Sequence, residues 1–353
     1  MSWNRNREDK LEAIKLLVGF ALSVLSLVLI LHDIDISAMM QTVLASDYPL
    51  VLVSFLTVVL TVAAKAFRWR LLLVAELPFA KALSYLIIGQ MINTLVPLRF
   101  GELSRIYLAT EKQGVSPAVA LGSIVLEKSI DTLFLLFSVL IVLPFMVMPG
   151  RMFASALVSS ALAVLLPITG AIVLQKRDAL LFGSARIGRL APERLASALS
   201  RELDSLAKLL REIRDLRRIT ALTVCSAAIW LLAVATNFSA FLSFGLKLPL
   251  LAAVFMLVVI HIGVAIPSAP GRIGPFQAAV MLGLAPFGVP ATAALGYSVL
   301  LYLVVFVPIS LAGCLLLWQE HVSLLRFIAP SRIHEGFRIA AAERHQHSSR
   351  RDL

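Results

Sequence analysis

Charge is the scarcest commodity in this chain. Only 15% of its 353 residues are Asp, Glu, Lys or Arg, against 59% hydrophobic. A soluble domain of this size needs far more polar surface, so that class is excluded and a helical membrane protein is indicated. The short alternation of a transmembrane β-barrel is also missing. The apolar runs are instead continuous and about 20 residues or longer, the length a spanning helix needs. Cysteine is nearly absent: Cys225 and Cys314 both lie in apolar runs. They point to buried thiols, not to a disulfide or a thiolate metal site. No Gly-rich Lys-Ser/Thr phosphate loop occurs, so no ATPase of the chain's own is expected, and no cofactor or metal is indicated. From Ile219 to Gln319 there is not one carboxylate, and the only basic residues are Lys247 and Arg272.

Six runs are long enough to cross a bilayer, at about 14–31, 48–67, 117–147, 152–174, 219–246 and 291–318. The first follows a charged start but has no small-residue cleavage site behind it, so it reads as a retained span. Two further apolar stretches, 82–98 and 250–267, are ambiguous. Charge decides the orientation. Arg5, Arg7, Lys10 and Lys15 lie before or at the start of the first run, whereas His32 to Ser46 contains no Lys or Arg. The segment 175–218 carries eleven basic residues, and six follow Trp318. The net charge of +11 therefore lies in loops and tails, where the positive-inside rule explains it better than nucleic-acid binding does. All basic stretches fall on one side only if both ambiguous stretches enter and leave by the same face.

The reading is thus an all-α polytopic membrane protein with six full spans and two re-entrant helical hairpins; eight spans is the alternative. Residues 1–330 form one integral membrane domain and 331–353 a cytoplasmic tail carrying His334, His345 and His347. Both termini are expected in the cytoplasm of a bacterium, across its inner (plasma) membrane. Leu195, Leu199, Leu203, Leu206, Leu210 and Ile213 form an apolar stripe in the basic loop 175–218, suited to a helix lying on the inner membrane surface.

A repeat supports the hairpins. "LPFAKALSYLIIGQMINTLVPLRFGE" begins at Leu77 and "LPLLAAVFMLVVIHIGVAIPSAPGRIGP" at Leu248. Each starts Leu-Pro, runs apolar, and reaches Pro-x-Arg-(Phe/Ile)-Gly, at Pro97, Arg99, Gly101 and again at Pro270, Arg272, Gly274. "GVSPAVALG" from Gly114 then matches "GVPATAALG" from Gly288. The copies cover about 48–147 and 219–318. With the charge-derived orientation they are inverted, and inverted repeats with broken helices are the pattern of transporters whose site lies at the membrane midplane.

The polar residues concentrate in the first copy. Lys65, Arg68 and Arg70 end the second run; Arg99, Glu102 and Arg105 follow the first break; Glu127, Lys128 and Asp131 sit within a span. Glu127 and Asp131, four apart, share a helix face. A charge at bilayer depth costs roughly 2.5–3.5 kcal/mol on insertion scales, so these groups must pair or line a wet cavity. The candidate substrate-binding residues are Asn93, Arg99, Glu102, Arg105, Glu127, Asp131, Arg68 and Arg272, with Pro97, Gly101, Pro270, Gly271 and Gly274 breaking the hairpins. Arginine's planar fork suits phosphate. Plainer roles stand beside these: an interfacial anchor at Arg68, Trp69 and Arg70, an ion pair of Glu102 with Arg99 or Arg105 that folds the hairpin, interhelical hydrogen bonding by Gln90 and Asn93, and packing by His261.

Taken together, "PLRFGELSR", "GVSPAVALGSIVLEKSID" and "PSAPGRIG" resemble the lysylphosphatidylglycerol synthase transmembrane family of flippase-like proteins. The family's first motif, Pro-x-Arg-x-Gly-Glu-x-x-Arg, is matched by Pro97, Arg99, Gly101, Glu102 and Arg105; Glu127 and Asp131 match the second, with Lys128 where arginine is usual. In the second hairpin Arg272 replaces a usual glycine, and Gln277 falls near a usual acid. The resemblance implies the movement of lipid or lipid-linked molecules across the inner membrane. Members that synthesise aminoacyl-lipids carry a further soluble domain, so that synthesis is not expected here. Three classes compete: a lipid translocase, a secondary transporter of a small anionic solute, and a lipid-modifying enzyme or assembly subunit. The carboxylates lack an accompanying His or Cys, which weighs against an enzyme. The expected partners are a membrane phospholipid or polyprenyl-linked lipid, a second copy of the chain, or a lipid-synthesis enzyme.

Overall fold

A computed structural model describes residues 36–73, 77–96, 100–145, 205, 208–209, 211–213, 215–265 and 270–322. The runs at 14–31 and 152–174, most of the amphipathic stripe, the tail, and the break residues Pro97 and Arg99 lie outside these residues. Among the described residues every regular element is helical: α1 Ile36–Leu44, α2 Tyr48–Leu73, α3 Phe79–Leu95, α4 Gly101–Gln113, α5 Pro117–Val142, α6 Leu216–Ser243, α7 Leu250–Ala265, α8 Pro275–Leu284 and α9 Ala291–Gln319.

Four of the helical segments are long and apolar enough to cross a membrane: Tyr48–Leu73, Pro117–Phe145, Leu216–Ser243 and Ala291–Gln319. They coincide with four of the six runs read from the sequence, and the chain is a multi-pass membrane protein. Their outer faces carry exposed apolar side chains, such as Leu56 and Leu60 on α2, Leu133 and Phe137 on α5, Leu231 on α6 and Leu311 on α9. Water would not tolerate that belt; hydrocarbon does.

The two ambiguous stretches are α3 and α7, of 17 and 16 residues. Each stops at a break and resumes as a second short helix, α4 or α8. The order long helix, short helix, break, short helix, long helix thus occurs twice, as α2–α5 and as α6–α9. Local chemistry matches in both copies. A left-handed glycine closes the segment before the last long helix, Gly114 at φ 67° and Gly288 at φ 68°. After Gly114, the amide of Val115 reaches back to the carbonyl of Ala109 at 3.1 Å, and Ser116 with Pro117 starts α5. Proline introduces α9 in the same way, at Pro290.

Each half has its own apolar core. Trp69, Tyr85, Ile88, Met91 and Leu108 centre the first; Phe241, Met256, Phe276, Val280 and Tyr297 centre the second. The halves then interlock. α2 lies along α6, and α3 lies along α9, where Gly313 admits Met91. The α2–α6 seam is polar: Ser54 meets Ser239 at 2.7 Å and Thr57 meets Thr236 at 2.9 Å. Small hydroxylated residues let two spans approach closely and bond across an apolar medium.

Candidate functional site

A cavity of about 540 Å³ opens between the halves, with walls from α2 to α9 and from the second break. Its charged wall begins where α3 meets α4. Gly89 and Gly101 face each other there: a Cβ on Gly101 would run into the Gly89 carbonyl oxygen and the Asn93 side chain. A Cβ on Gly89 would lie 2.8 Å from Arg105 Cγ, so this glycine is what lets the arginine stem cross α3. Asn93 fixes the start of α4, its Oδ1 accepting from the Gly101 amide at 2.8 Å. The break is therefore a built joint.

Arg105 is 5% exposed and grips Glu127 with both terminal nitrogens, at 3.2 and 2.6 Å. Its guanidinium lies 4.3 Å from the centre of the Trp69 ring, and Trp69 is held by an indole hydrogen bond to Ser123. Arg68 is fully buried, which an interfacial anchor would not be; only Arg70 is exposed. Arg68 donates to Asp131 at 2.6 Å and to Ser226 at 3.2 Å, and its other terminal nitrogen stands 3.9 Å from Glu127. Its Nε and Nη2 make no hydrogen bond. Glu127 and Asp131 do share a face, and that face is what the two arginines bind.

Of the two partners expected for Glu102, Arg99 lies outside the described residues and Arg105 is engaged elsewhere. The partner of Glu102 is Lys128, at 2.9 Å. The i,i+1 geometry of α5 explains this: with Glu127 turned to Arg105, Lys128 points round the helix toward the start of α4. The second break supplies Arg272, a non-glycine at φ 58°, flanked by Gly271 at 85° and Gly274 at 95°. It donates to the carbonyl of Asn93 at 3.0 Å, so the two breaks touch across the cavity. Gln277 acts as a helix cap, its Oε1 accepting from the Gly274 amide at 2.7 Å.

Asn93, Glu102, Arg105, Glu127, Asp131 and Arg272 thus line one cavity, with Arg68 directly behind. Three residues that the sequence reading named but left out of the candidate site line it too. Lys65 and Gln90 are on the wall, and His261 is both packing residue and wall: its Nδ1 meets the Leu257 carbonyl at 2.8 Å and its ring stacks 5.1 Å from Trp230. Gly89 beside Gln90 and Asn93 in an otherwise apolar helix was the available signal for a close helix crossing next to a polar face.

Comparison with protein-family models matches residues 16–313 to the lysylphosphatidylglycerol synthase TM region. The match covers most of the chain, so membership is settled. The chain belongs to the lysylphosphatidylglycerol synthase TM region family. Comparison with curated proteins gives no match. Family membership makes this a membrane protein whose role is related to lipid. It also gives the departures noted above a structural setting. Lys128 reaches Glu102, Arg272 bridges the breaks, and Gln277 caps α8.

Proposed function

We propose that the chain is a flippase-like translocase for an anionic phospholipid or lipid-linked intermediate in the bacterial inner membrane, and not an enzyme. The headgroup phosphate is held by arginines at the first break, Arg105 with Arg99. In this reading the helices on either side of each break are re-entrant, the two halves are inverted repeats, and both termini are cytoplasmic. One observation carries the proposal: a cavity shared by both halves and walled by the spanning helices is lined by four cations, Lys65, Arg105, Lys128 and Arg272, against three carboxylates, Glu102, Glu127 and Asp131. Lipid tails stay in hydrocarbon while only the headgroup needs such a wall. Glu127 is the resident stand-in for the substrate. It occupies the two-pronged grip of Arg105, and an arriving phosphate displaces it. A ligand that binds one arrangement of Arg105 better than the other shifts the protein toward the arrangement it prefers.

The test is reconstitution in vesicles with a headgroup-labelled anionic lipid, whose inner-leaflet fraction is followed with an impermeant quencher. Protein should speed exchange between leaflets, and Arg105→Lys should slow it about tenfold, because lysine cannot grip a phosphate with two parallel bonds. Exchange no faster than in empty vesicles would defeat the proposal. A secondary transporter of a small anionic solute is the second reading, favoured by the volume of the cavity, which is in the range that encloses a whole small molecule. Uptake of a radiolabelled anion without lipid exchange would decide for it.

A further inference from the structure

α3 and α9 meet along a seam between the two halves. Lys81 pairs with Glu320 and Met91 packs on Gly313, so the two helices run antiparallel. The cavity lining ends at Leu86 on α3 and at Ile309 on α9. About 16 Å of helix then separates Ile309 from Glu320. Along that stretch the seam is shut by packing: Gly313 takes the side chain of Met91, and Leu317 joins the core of the first half. At its mouth stands an ion pair that crosses between the halves, Lys81 Nζ to Glu320 Oε1 at 2.8 Å. The Lys81 side chain is 44% exposed and that of Glu320 10%, so water reaches the pair from one side.

A strained turn sets Glu320 in place. The amide of His321 turns back to the Trp318 carbonyl at 3.0 Å, and that of Val322 to the Leu317 carbonyl at 3.4 Å. These are the two bonds with which a left-handed residue ends a helix, a position usually held by glycine. Here it is His321, at φ 54°, where a side chain is strained. The turn brings Val322 and Leu317 into one core with Leu77, Ala82 and Tyr85. One turn along α3 from Lys81, the buried hydroxyl of Tyr85 accepts from Gln113 at 3.2 Å, which gathers the end of α4 to the same place. The charges also oppose their helices: Lys81 lies in the first turn of α3 and Glu320 caps the end of α9. Each would suit its helix dipole better at the other's position, so their mutual attraction is what holds them.

We propose that Lys81, Glu320 and the strained turn at His321 form a latch on the seam between α3 and α9. Its release opens the cavity toward this end of the bundle, the cytoplasmic end in the orientation proposed above. The part it plays in transport rests on the translocase reading. A half-exposed ion pair exchanges readily for water, so the latch opens without stranding a buried charge. The strain at His321 is given up when the turn lets go, which offsets part of the packing lost at Leu317 and Val322.

The test uses the full chain in detergent, with Cys225 and Cys314 replaced by alanine and Met91→Cys as reporter. Met91 is fully buried and is uncovered when α3 and α9 part, so the rate of labelling by a maleimide measures opening. Glu320→Gln and Lys81→Gln should each speed labelling about three- to fivefold, the most that a half-exposed pair supplies. The exchange Lys81→Glu/Glu320→Lys should label no faster than the starting protein, since each charge then also suits its helix end. His321→Gly should slow labelling about threefold, because glycine holds the closed turn without strain. Unchanged labelling in both glutamine variants, or faster labelling in His321→Gly, overturns the latch. In vesicles, Lys81→Cys/Glu320→Cys bridged by a short, reducible bifunctional thiol reagent should cut lipid exchange at least tenfold, with recovery on reduction. Exchange as fast with the bridge as without it also overturns the latch. No exchange before bridging defeats the translocase reading instead, and the labelling rates then decide the latch alone.

Discussion

Arg105→Met should be among the most damaging substitutions in the described part of the chain. It removes one partner of an ion pair whose side chains are 5% and 6% exposed, and leaves Glu127 with only Arg68, 3.9 Å away and already bound to Asp131. Breaking a buried pair from one side costs about 3–5 kcal/mol, since the survivor is stranded. The nearby Arg68 softens this, so about 3 kcal/mol is expected. At roughly 2 °C per kcal/mol for a chain of this size, the melting temperature should fall by about 6 °C. Glu127→Gln alone should do similar harm, stranding Arg105 against the Trp69 ring. The double substitution Arg105→Met/Glu127→Gln removes both charges and should recover most of the loss, with a coupling energy above about 2 kcal/mol. Melting of the four proteins in one detergent completes the cycle. If the single effects simply add, to within about 0.5 kcal/mol, the pair is not the joint described here.

Gly101→Ala should destabilise by about 1–3 kcal/mol and disturb the cavity, because the new methyl would overlap the Gly89 carbonyl; wild-type melting would mean that α3 and α4 do not cross there. Arg272→Gly should relieve about 1 kcal/mol of left-handed backbone strain and lose about 1.5–3 kcal/mol from the hydrogen bond to Asn93, for a net melting loss of about 2 °C; a gain in melting temperature would make the bridge between breaks unimportant. In a background with Cys225 and Cys314 replaced by alanine, cysteine at Ser37 should react with an impermeant reagent from outside and cysteine at Ser197 should not, and labelling of Ser197 from outside would reverse the orientation.

Much of this arrangement was legible in the sequence because membranes leave so few options. Continuous apolar runs must be helices, which located α2, α5, α6 and α9 closely. The landmarks Leu77-Pro78, Gly114, Leu248-Pro249 and Gly288 turned out to be helix starts and left-handed stops, roles that proline and glycine fill for local steric reasons. Grouping Arg105, Glu127 and Asp131 needed only the premise that deep charges must find one another. Their pairing could not be read, since it depends on the crossing of α3 and α4 at Gly89, a tertiary contact with no periodic signature. His261 shows the same limit: a lone histidine in an apolar run reads as packing, and only three-dimensional placement puts its other face on a cavity.

The strong and weak bonds around the cavity are also unevenly distributed, and this bears on how it could work. Every charge-to-charge contact on its wall, Arg105 with Glu127, Arg68 with Asp131 and Lys128 with Glu102, joins helices of the first half to one another. Among the described residues the links that cross to the second half near the cavity are single hydrogen bonds: Ser54 with Ser239, Thr57 with Thr236, Cys225 with the Ala64 carbonyl, Arg68 with Ser226 and Arg272 with the Asn93 carbonyl; away from the cavity wall an ion pair, Lys81 with Glu320 at 2.8 Å, also joins the halves. Neutral bonds of this kind are worth about 0.5–1.5 kcal/mol each and those from a charged donor about 1.5–3, and all can be exchanged for bonds to water or headgroup as they open. A movement of one half past the other would therefore keep the ion pairs of the wall intact while the hydrogen-bonded seam slid. Such a division suits a carrier of charged headgroups: sliding the halves parts no ion pair of the wall, and in the proposed mechanism Arg105 gives up Glu127 only in exchange for a phosphate, whereas parting a buried pair with nothing in its place would raise a barrier of several kcal/mol.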